Sequence, residues 1–279
     1  MSPPHISLKE VALLLDVHYM TAYRYMREGH LPAAKVGREW MVRKADLAAF
    51  QKGRLVAKTP KGGGRKQAPW APRMTALLIK GEERSVLALM ESVLRSGNDL
   101  QFLYFDVVTP AMVEIGRLWQ TGQLDVFVEH RASGIVDRTA ARIGARFSTS
   151  GVRKGTLLIG APQGEMHVLS NGLLADLLQQ AGWKVDNLGA DVPIQSMVAA
   201  AEQIPDLVGI CLSISMTQNF PALNQTIAEI KQSSASHLPI FVGGAAVKDK
   251  ASAAQLHACH IVKNLPELLA LLHQQARRR

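Results

Sequence analysis

The sequence predicts a multidomain chain of mixed α and α/β class, and three observations carry that expectation. First, all the excess positive charge sits in the first quarter. Residues 1–75 hold 14 Lys and Arg against 5 Asp and Glu, while the remainder balances at 18 against 18. Second, between about residues 74 and 150 apolar side chains recur at three- and four-residue steps, the period of packed helices. Third, beyond Lys154 short apolar β-rich runs alternate with helical stretches, as in an open parallel sheet covered on both faces. The expected boundaries are 1–52 for a basic head, 53–74 for a flexible linker, 75–150 for a four-helix bundle and 151–279 for the sheet domain.

Composition narrows the class further. Of the 279 residues 47% are apolar, enough for real cores. There is no run of eighteen apolar residues, and the start MSPPHISLKE lacks the apolar stretch of a signal peptide. A soluble, cytoplasmic protein with no membrane partner is expected. Cys211 and Cys259 show no CxxC spacing and read as reduced, buried thiols. A basic module joined to a neutral body is the arrangement of a phosphate-binding domain attached to a sensor.

In the head, Ser7-Leu8-Lys9-Glu10 forms a capping box that opens a helix carrying Val11, Leu14 and Leu15 on one face. A second helix over His18–Glu28 ends at Gly29, with Pro32 beyond it. Residues 34–42 read as a tight hairpin and Lys44–Phe50 as a short helix. This order, with Leu31-Pro32, Lys35-Val36-Gly37-Arg38, Trp40, Asp46-Leu47 and Phe50, resembles the winged helix-turn-helix domains of the excisionase and MerR types. The resemblance implies double-stranded operator DNA as partner, with the second helix in the major groove and the wing on the backbone. Tyr19, Thr21, Tyr23, Arg24 and Arg27 lie on that helix, Arg24 having the fork that matches guanine. Lys35, Arg38 and Arg43 on the wing suit phosphate contacts. Trp40 is expected in the hairpin core, and Tyr25 can pack there too. The linker KGRLVAKTPKGGGRKQAPWAPRM has little to bury, and Trp70 within it is a candidate to dock on a neighbour.

Val86, Leu89, Met90, Val93 and Leu94 mark one bundle helix, with Gly97-Asn98 and Thr121-Gly122 as punctuation. Thr109-Pro110 marks a helix break or start. In the last domain TLLIGA, KVDNLG, LVGICLS, PIFVGG and CHIV are strands of a flavodoxin-like (Rossmann-like) parallel sheet. Helices are expected at 168–182, 193–204, 220–233, 248–257 and 265–276. Ligands of such sheets sit at the carboxyl ends of the strands. His167, Ser213 and Gly243-Gly244 fall there, after the first, third and fourth strands.

A nicotinamide site would need GxGxxG after the first strand, and Pro162-Gln163-Gly164-Glu165 does not supply it. What stands there is Glu165-Met166-His167, followed by Leu188-Gly189-Ala190-Asp191-Val192-Pro193, Ser213 and the paired glycines. These resemble the cobalamin-binding domain of methionine synthase and corrinoid proteins. The resemblance implies His167 as lower cobalt ligand, with Glu165 and Ser213 as orienting groups and Gly243-Gly244 walling a slot for the nucleotide tail. Two positions depart from the family pattern acidic-x-His-x-x-Gly and Ser-x-Leu: Ser170 replaces the glycine, and Ser215 replaces the leucine.

Trp119, nine residues, then Glu129-His130 matches the signature of light-sensing repressors of the CarH and LitR type, and the domain order matches over the whole chain. This second resemblance implies adenosylcobalamin as chromophore. Trp119 would pack over the adenosyl group, Glu129 would bond it, and His130 would take the upper cobalt position after light. It also implies a homo-oligomer, a tetramer in the dark, and no catalytic turnover. Taken singly, Trp119 reads as core and Glu129-His130 as a solvated helix face. Two other readings fit parts of the chain: a regulator that senses cobalamin or a partner without light, and a corrinoid methyl carrier.

Overall fold

The computed structural model describes residues 5–15, 22–23, 25–26, 31–37, 39–51, 68–147, 153–247 and 254–276. The chain forms two compact units, Met1–Ala68 and Pro69–Arg279.

The first unit carries β1 (His5–Ser7), α1 (Leu8–Leu14), β2 (Ala34–Val36), β3 (Glu39–Arg43) and α2 (Lys44–Gln51). The capping box forms as its spacing requires: the Ser7 N–H donates to the Glu10 carboxylate at 2.8 Å, and the Glu10 N–H to Ser7 Oγ at 3.2 Å. The sequence did not announce β1, whose three residues are too few to show an alternation. It pairs antiparallel with β3, His5 opposite Arg43 and Ser7 opposite Met41, giving a three-stranded sheet ordered β1-β3-β2. Gly37, at φ +63°, makes the hairpin turn between β2 and β3. Ile6, Leu8, Val11, Ala22, Leu31, Val42 and Leu47 form the core, with Trp40 packed against it and the Tyr25 ring tilted at 45° to that of Phe50, centroids 5.2 Å apart.

The second unit opens with a bundle: α3 (Trp70–Lys80), α4 (Glu83–Arg95), α5 (Thr109–Gln120) and α6 (Val126–Gly144). Helix α3 starts at Trp70, inside the stretch expected to be linker. Trp70 packs against the bundle core, and the Arg73 guanidinium lies 5.3 Å above its ring. A short turn (Leu100–Phe102) and a π-helical segment (Leu103–Val108) lead into α5. Pro110 has no N–H to give the preceding turn, and the π bulge absorbs that missing bond; the Thr109 hydroxyl donates to the Tyr104 carbonyl at 2.8 Å.

The sheet domain follows the predicted alternation: β4 (Thr156–Gly160), α7 (Leu169–Gln180), β5 (Lys184–Asn187), α8 (Ile194–Gln203), β6 (Leu207–Ser213), α9 (Phe220–Gln232), β7 (Ile240–Gly243), β8 (His260–Ile261) and α10 (Leu265–Ala276). The five strands are parallel in the order β5-β4-β6-β7-β8. Of the helix expected at 248–257, residues 248–253 lie outside the described residues, and 254–257 form no helix. Strand β4 is buried throughout because both its faces are covered. Leu157 and Ile159 join the core shared with the bundle, α7 and α10, while Leu158 joins that of α8 and α9. The Tyr104 hydroxyl donates to Asp176 Oδ2 on α7 at 2.6 Å, fastening bundle to sheet domain beside Ala140 and Gly144 of α6. Among the described residues no helix is long and apolar enough to cross a membrane.

Candidate functional site

The loop after β4 turns at Pro162, and the next residues form a compact polar cluster at the carboxyl edge of the sheet. Glu165 is its centre, only 1% exposed. Its Oε2 accepts the backbone N–H groups of Ser215 and Met216 at 2.8 and 3.1 Å and the Asn219 side-chain amide at 3.2 Å. Its Oε1 accepts the His167 backbone N–H at 3.3 Å and meets His167 Nδ1. Burial alone would push this carboxyl up. The bonds from His167, the Ser215 N–H, Asn219 and the Met216 N–H outweigh it and hold the group below the ordinary carboxylate range.

With Nδ1 donating to a buried carboxylate, neutral His167 carries its lone pair on Nε2. The side chain is 57% exposed. Neighbouring loops brace the arrangement. The Gly164 N–H donates to Asp191 Oδ1 at 2.7 Å, the Asp191 N–H donates to the Glu165 carbonyl at 2.9 Å, and Asp191 itself sits at φ +52°. Around this cluster Met166, Val168, Leu188 and Met216, from the loops after β4, β5 and β6, expose apolar side chains that water solvates poorly.

The other sheet residues divide by role. Ser213 was expected to orient His167, but its hydroxyl lies 2.9 Å from that of Ser170 instead. Ser215 serves Glu165 through its backbone N–H. Gly243 ends β7, where an added Cβ would meet only the Val262 carbonyl at 3.5 Å. Gly244 is required by the fold itself: at φ +122° its Cβ would come within 2.2 Å of the Ile214 carbonyl oxygen. Asn219 and Asp191 complete the cluster. Asn219 was not singled out in the sequence, because 54 positions separate it from Glu165. Asp191 stood in a recognised run, but nothing local reveals its bond to the Gly164 N–H.

In the bundle, Trp119 lies at the end of α5 and is 44% exposed, so it is not the core residue its type would imply. Gly122 turns the chain at φ +71°, and the Asp125 side chain caps α6 by accepting the Phe127 N–H at 3.1 Å. Glu129 then holds His130 Nδ1 at 2.7 Å and accepts the Ser133 hydroxyl at 2.7 Å, with the His130 side chain 75% exposed. Thus Glu165, His167, Ser213, Ser215, Gly243 and Gly244 share one sheet edge, whereas Trp119, Glu129 and His130 share the α5–α6 end of the bundle. No hydrogen bond or ion pair joins the two sets among the described residues.

In the head, Lys35 is exposed on β2, and Arg43 on β3 forks onto Asp46 at 2.7 and 2.9 Å. That pairing neutralises part of the charge Arg43 was expected to offer phosphate. Tyr23 packs half-buried against the head core. Tyr19, Thr21, Arg24, Arg27 and Arg38 lie outside the described residues.

Comparison with known proteins agrees with this architecture. A family model described as a helix-turn-helix domain matches residues 6–55, one described as a B12 binding domain matches 155–266, and a second B12 binding domain model matches 70–143. The HTH-type transcriptional repressor CarH of Myxococcus xanthus is 26% identical over 194 residues, covering 69% of this chain and 63% of the repressor. Dimethylamine corrinoid protein 1 of Methanosarcina acetivorans is 28% identical over 140 residues, 48% of this chain and 64% of that protein. The chain therefore spans somewhat less than two thirds of these relatives' own lengths. The monomethylamine corrinoid protein of Methanosarcina barkeri superposes with a TM-score of 0.60 at 13% identity, covering 74% of this chain and 94% of that one, a likeness of fold. A helix-turn-helix head ahead of a helical bundle and a Rossmann-like B12-binding sheet domain gives this chain a CarH-type architecture.

Proposed function

We propose that the chain is a light-responsive transcriptional repressor that holds adenosylcobalamin at the sheet edge and operator DNA through its head. The observation that carries this reading is His167, an exposed imidazole whose Nδ1 is fixed by a buried carboxylate and whose chain neighbours Met166 and Val168 expose apolar side chains. A single imidazole with a set tautomer would suit a metal that brings its own macrocycle, and the exposed apolar side chains would suit the apolar parts of such a ring. When bound, adenosylcobalamin supplies a cobalt–carbon bond that light cleaves.

The chain's own residues then act in sequence. His167 and Glu165 hold the lower side, and Ser215, Met216 and Asn219 keep Glu165 ionised and in place. By resemblance Trp119 and Glu129 would serve the adenosyl group, and His130, already oriented by Glu129, would offer its free ring nitrogen to the metal once light has cleaved the cobalt–carbon bond. Lys35 and Arg43, with Tyr19, Thr21, Tyr23, Arg24, Arg27 and Arg38, meet the DNA. Several heads brought together in a dark homo-oligomer, a tetramer in this reading, bind far more tightly than one, so disassembly releases the operator. The protein works in the cytoplasm and turns over no substrate.

A second reading, a corrinoid carrier for methyl transfer, draws on the similarity of the bundle and sheet domain to the dimethylamine corrinoid protein. The basic helix-turn-helix head favours the regulator, since a carrier has no use for phosphate contacts. To test the proposal, the protein is mixed with adenosylcobalamin in the dark, desalted, and its absorption recorded before and after green light. The expected outcome is a bound alkylcobalamin spectrum that converts on illumination, together with loss of DNA affinity. Colourless protein after desalting would remove the cofactor assignment. A spectrum that converts while DNA affinity stays constant would remove the light switch alone.

A further inference from the structure

Topology fixes one crevice at the sheet edge. In the order β5-β4-β6-β7-β8 the chain leaves β4 toward β5 and later crosses back to β6, so the switch point lies between β4 and β6. In open parallel sheets, ligand parts that reach below the rim enter at that point. Here the crevice is bridged. Ser170, in the first turn of α7 after β4, and Ser213, the last residue of β6, bring their hydroxyls within 2.9 Å. Ser170 Oγ also lies 3.4 Å from the His167 carbonyl oxygen, which ties the bridge to the candidate ligand. Ser213 is nearly buried and Ser170 exposed, so the pair runs from the crevice interior to its mouth. The β7 side is not constricted in this way, because Gly243 has room for a Cβ at ordinary contact distance.

We propose that Ser170 determines specificity for the lower arm of the corrinoid, setting how strongly the site prefers complete cobalamin over a cobinamide that lacks the nucleotide. The inference rests on the corrinoid reading above. An arm that descends between β4 and β6 must part the two hydroxyls and bond Ser213 in Ser170's place, or leave a nearly buried hydroxyl unpaired. A corrinoid without the arm leaves the bridge intact. Glycine at 170 removes both the hydroxyl and the Cβ from the mouth, whereas alanine removes the hydroxyl alone.

The experiment is equilibrium dialysis in the dark of the full chain, Ser170→Gly and Ser170→Ala, each against adenosylcobalamin and adenosylcobinamide. Ser170→Gly is expected to tighten adenosylcobalamin about five- to tenfold, the worth of one hydrogen bond, and to leave adenosylcobinamide unchanged. Ser170→Ala should give part of that gain, and it keeps a strong helix former in α7 should glycine loosen the turn. Equal shifts with both corrinoids, or none with either, would overturn the bridge as a determinant while the cofactor assignment stands. Failure of all three proteins to bind either corrinoid would overturn the cofactor assignment, and this inference with it.

Discussion

Glu165 holds His167 from inside a filled cluster of loops, whereas Glu129 holds His130 from an open helix turn. Both carboxylates engage Nδ1 and leave Nε2 to carry the lone pair, so the chemistry offered to a ligand is the same. The settings are opposite. Glu165 is 1% exposed and is met by two backbone amides and a side-chain amide from the far side of the β4–β6 gap. Glu129 is 24% exposed, and beyond His130 it is met by the Ser133 hydroxyl from its own helix. A group whose partners come from distant parts of the chain is set by the fold before any ligand arrives. One whose partners lie within four residues can reorient at little cost, as the role proposed for His130 would require.

The largest effect that would sharpen this contrast is on stability. Glu165→Ala leaves the Ser215 and Met216 amides and Asn219 without their acceptor and frees His167. It is expected to cost about 2–4 kcal/mol in urea unfolding of the apo-protein, the range for stripping a buried charged acceptor from its donors. An apo-protein as stable as wild type would mean that the cluster is not built in advance, and the two carboxylates would then be alike.

That difference marks the limit of what the sequence disclosed. Glu165, His167 and the positions of the other loops were legible because strand ends in an alternating α/β pattern locate a sheet edge, and Ser213 and Gly243 fall on it. The head's capping box and hairpin were legible because both are local. Hidden were the features made by distant residues: Asn219 reaching Glu165, Ser170 facing Ser213, and the Tyr104–Asp176 bond that fastens bundle to sheet domain. Strand β1 was missed for a different reason. Three residues carry no readable period, and they become a strand only because β3 offers an edge.

A smaller effect separates charge from shape. The Glu165 carboxyl is held below its ordinary range in the folded protein, so its stabilisation is present above the unfolded value, roughly 4.3, and is lost as pH falls through the folded one. Glu165→Gln keeps the shape and loses the charge-assisted bonds, and should cost about 1–2 kcal/mol at pH 7. The gap between wild type and Glu165→Gln should stay constant from pH 7 to 5 and narrow below about pH 4. Asp176 works in the opposite direction: burial pushes its carboxyl up despite the Tyr104 bond, but it is common to both proteins and drops out of the difference. A gap that does not change with pH would mean that the amides hold a shape and not a charge. The measurement is urea unfolding of both proteins at pH 7, 5, 4 and 3.

The smallest effect is expected at the bundle pair, and it is the one that could break the contrast. Glu129 sits near the start of α6, where a negative charge gains modestly from the helix dipole, and its bonds to His130 and Ser133 are open to water. Glu129→Ala should therefore change the unfolding free energy of the apo-protein by no more than about 0.5 kcal/mol, as exposed pairs do. The same variant should slow or weaken ligation by His130 in the illuminated holo-protein, because the ring loses the partner that fixes its tautomer. Urea unfolding reads the first quantity and the absorption spectrum after light reads the second. A loss of 2 kcal/mol or more would show that Glu129 is a structural anchor of the same kind as Glu165. The bundle pair would then be too rigid to exchange partners, and the movable ligand would have to be sought elsewhere.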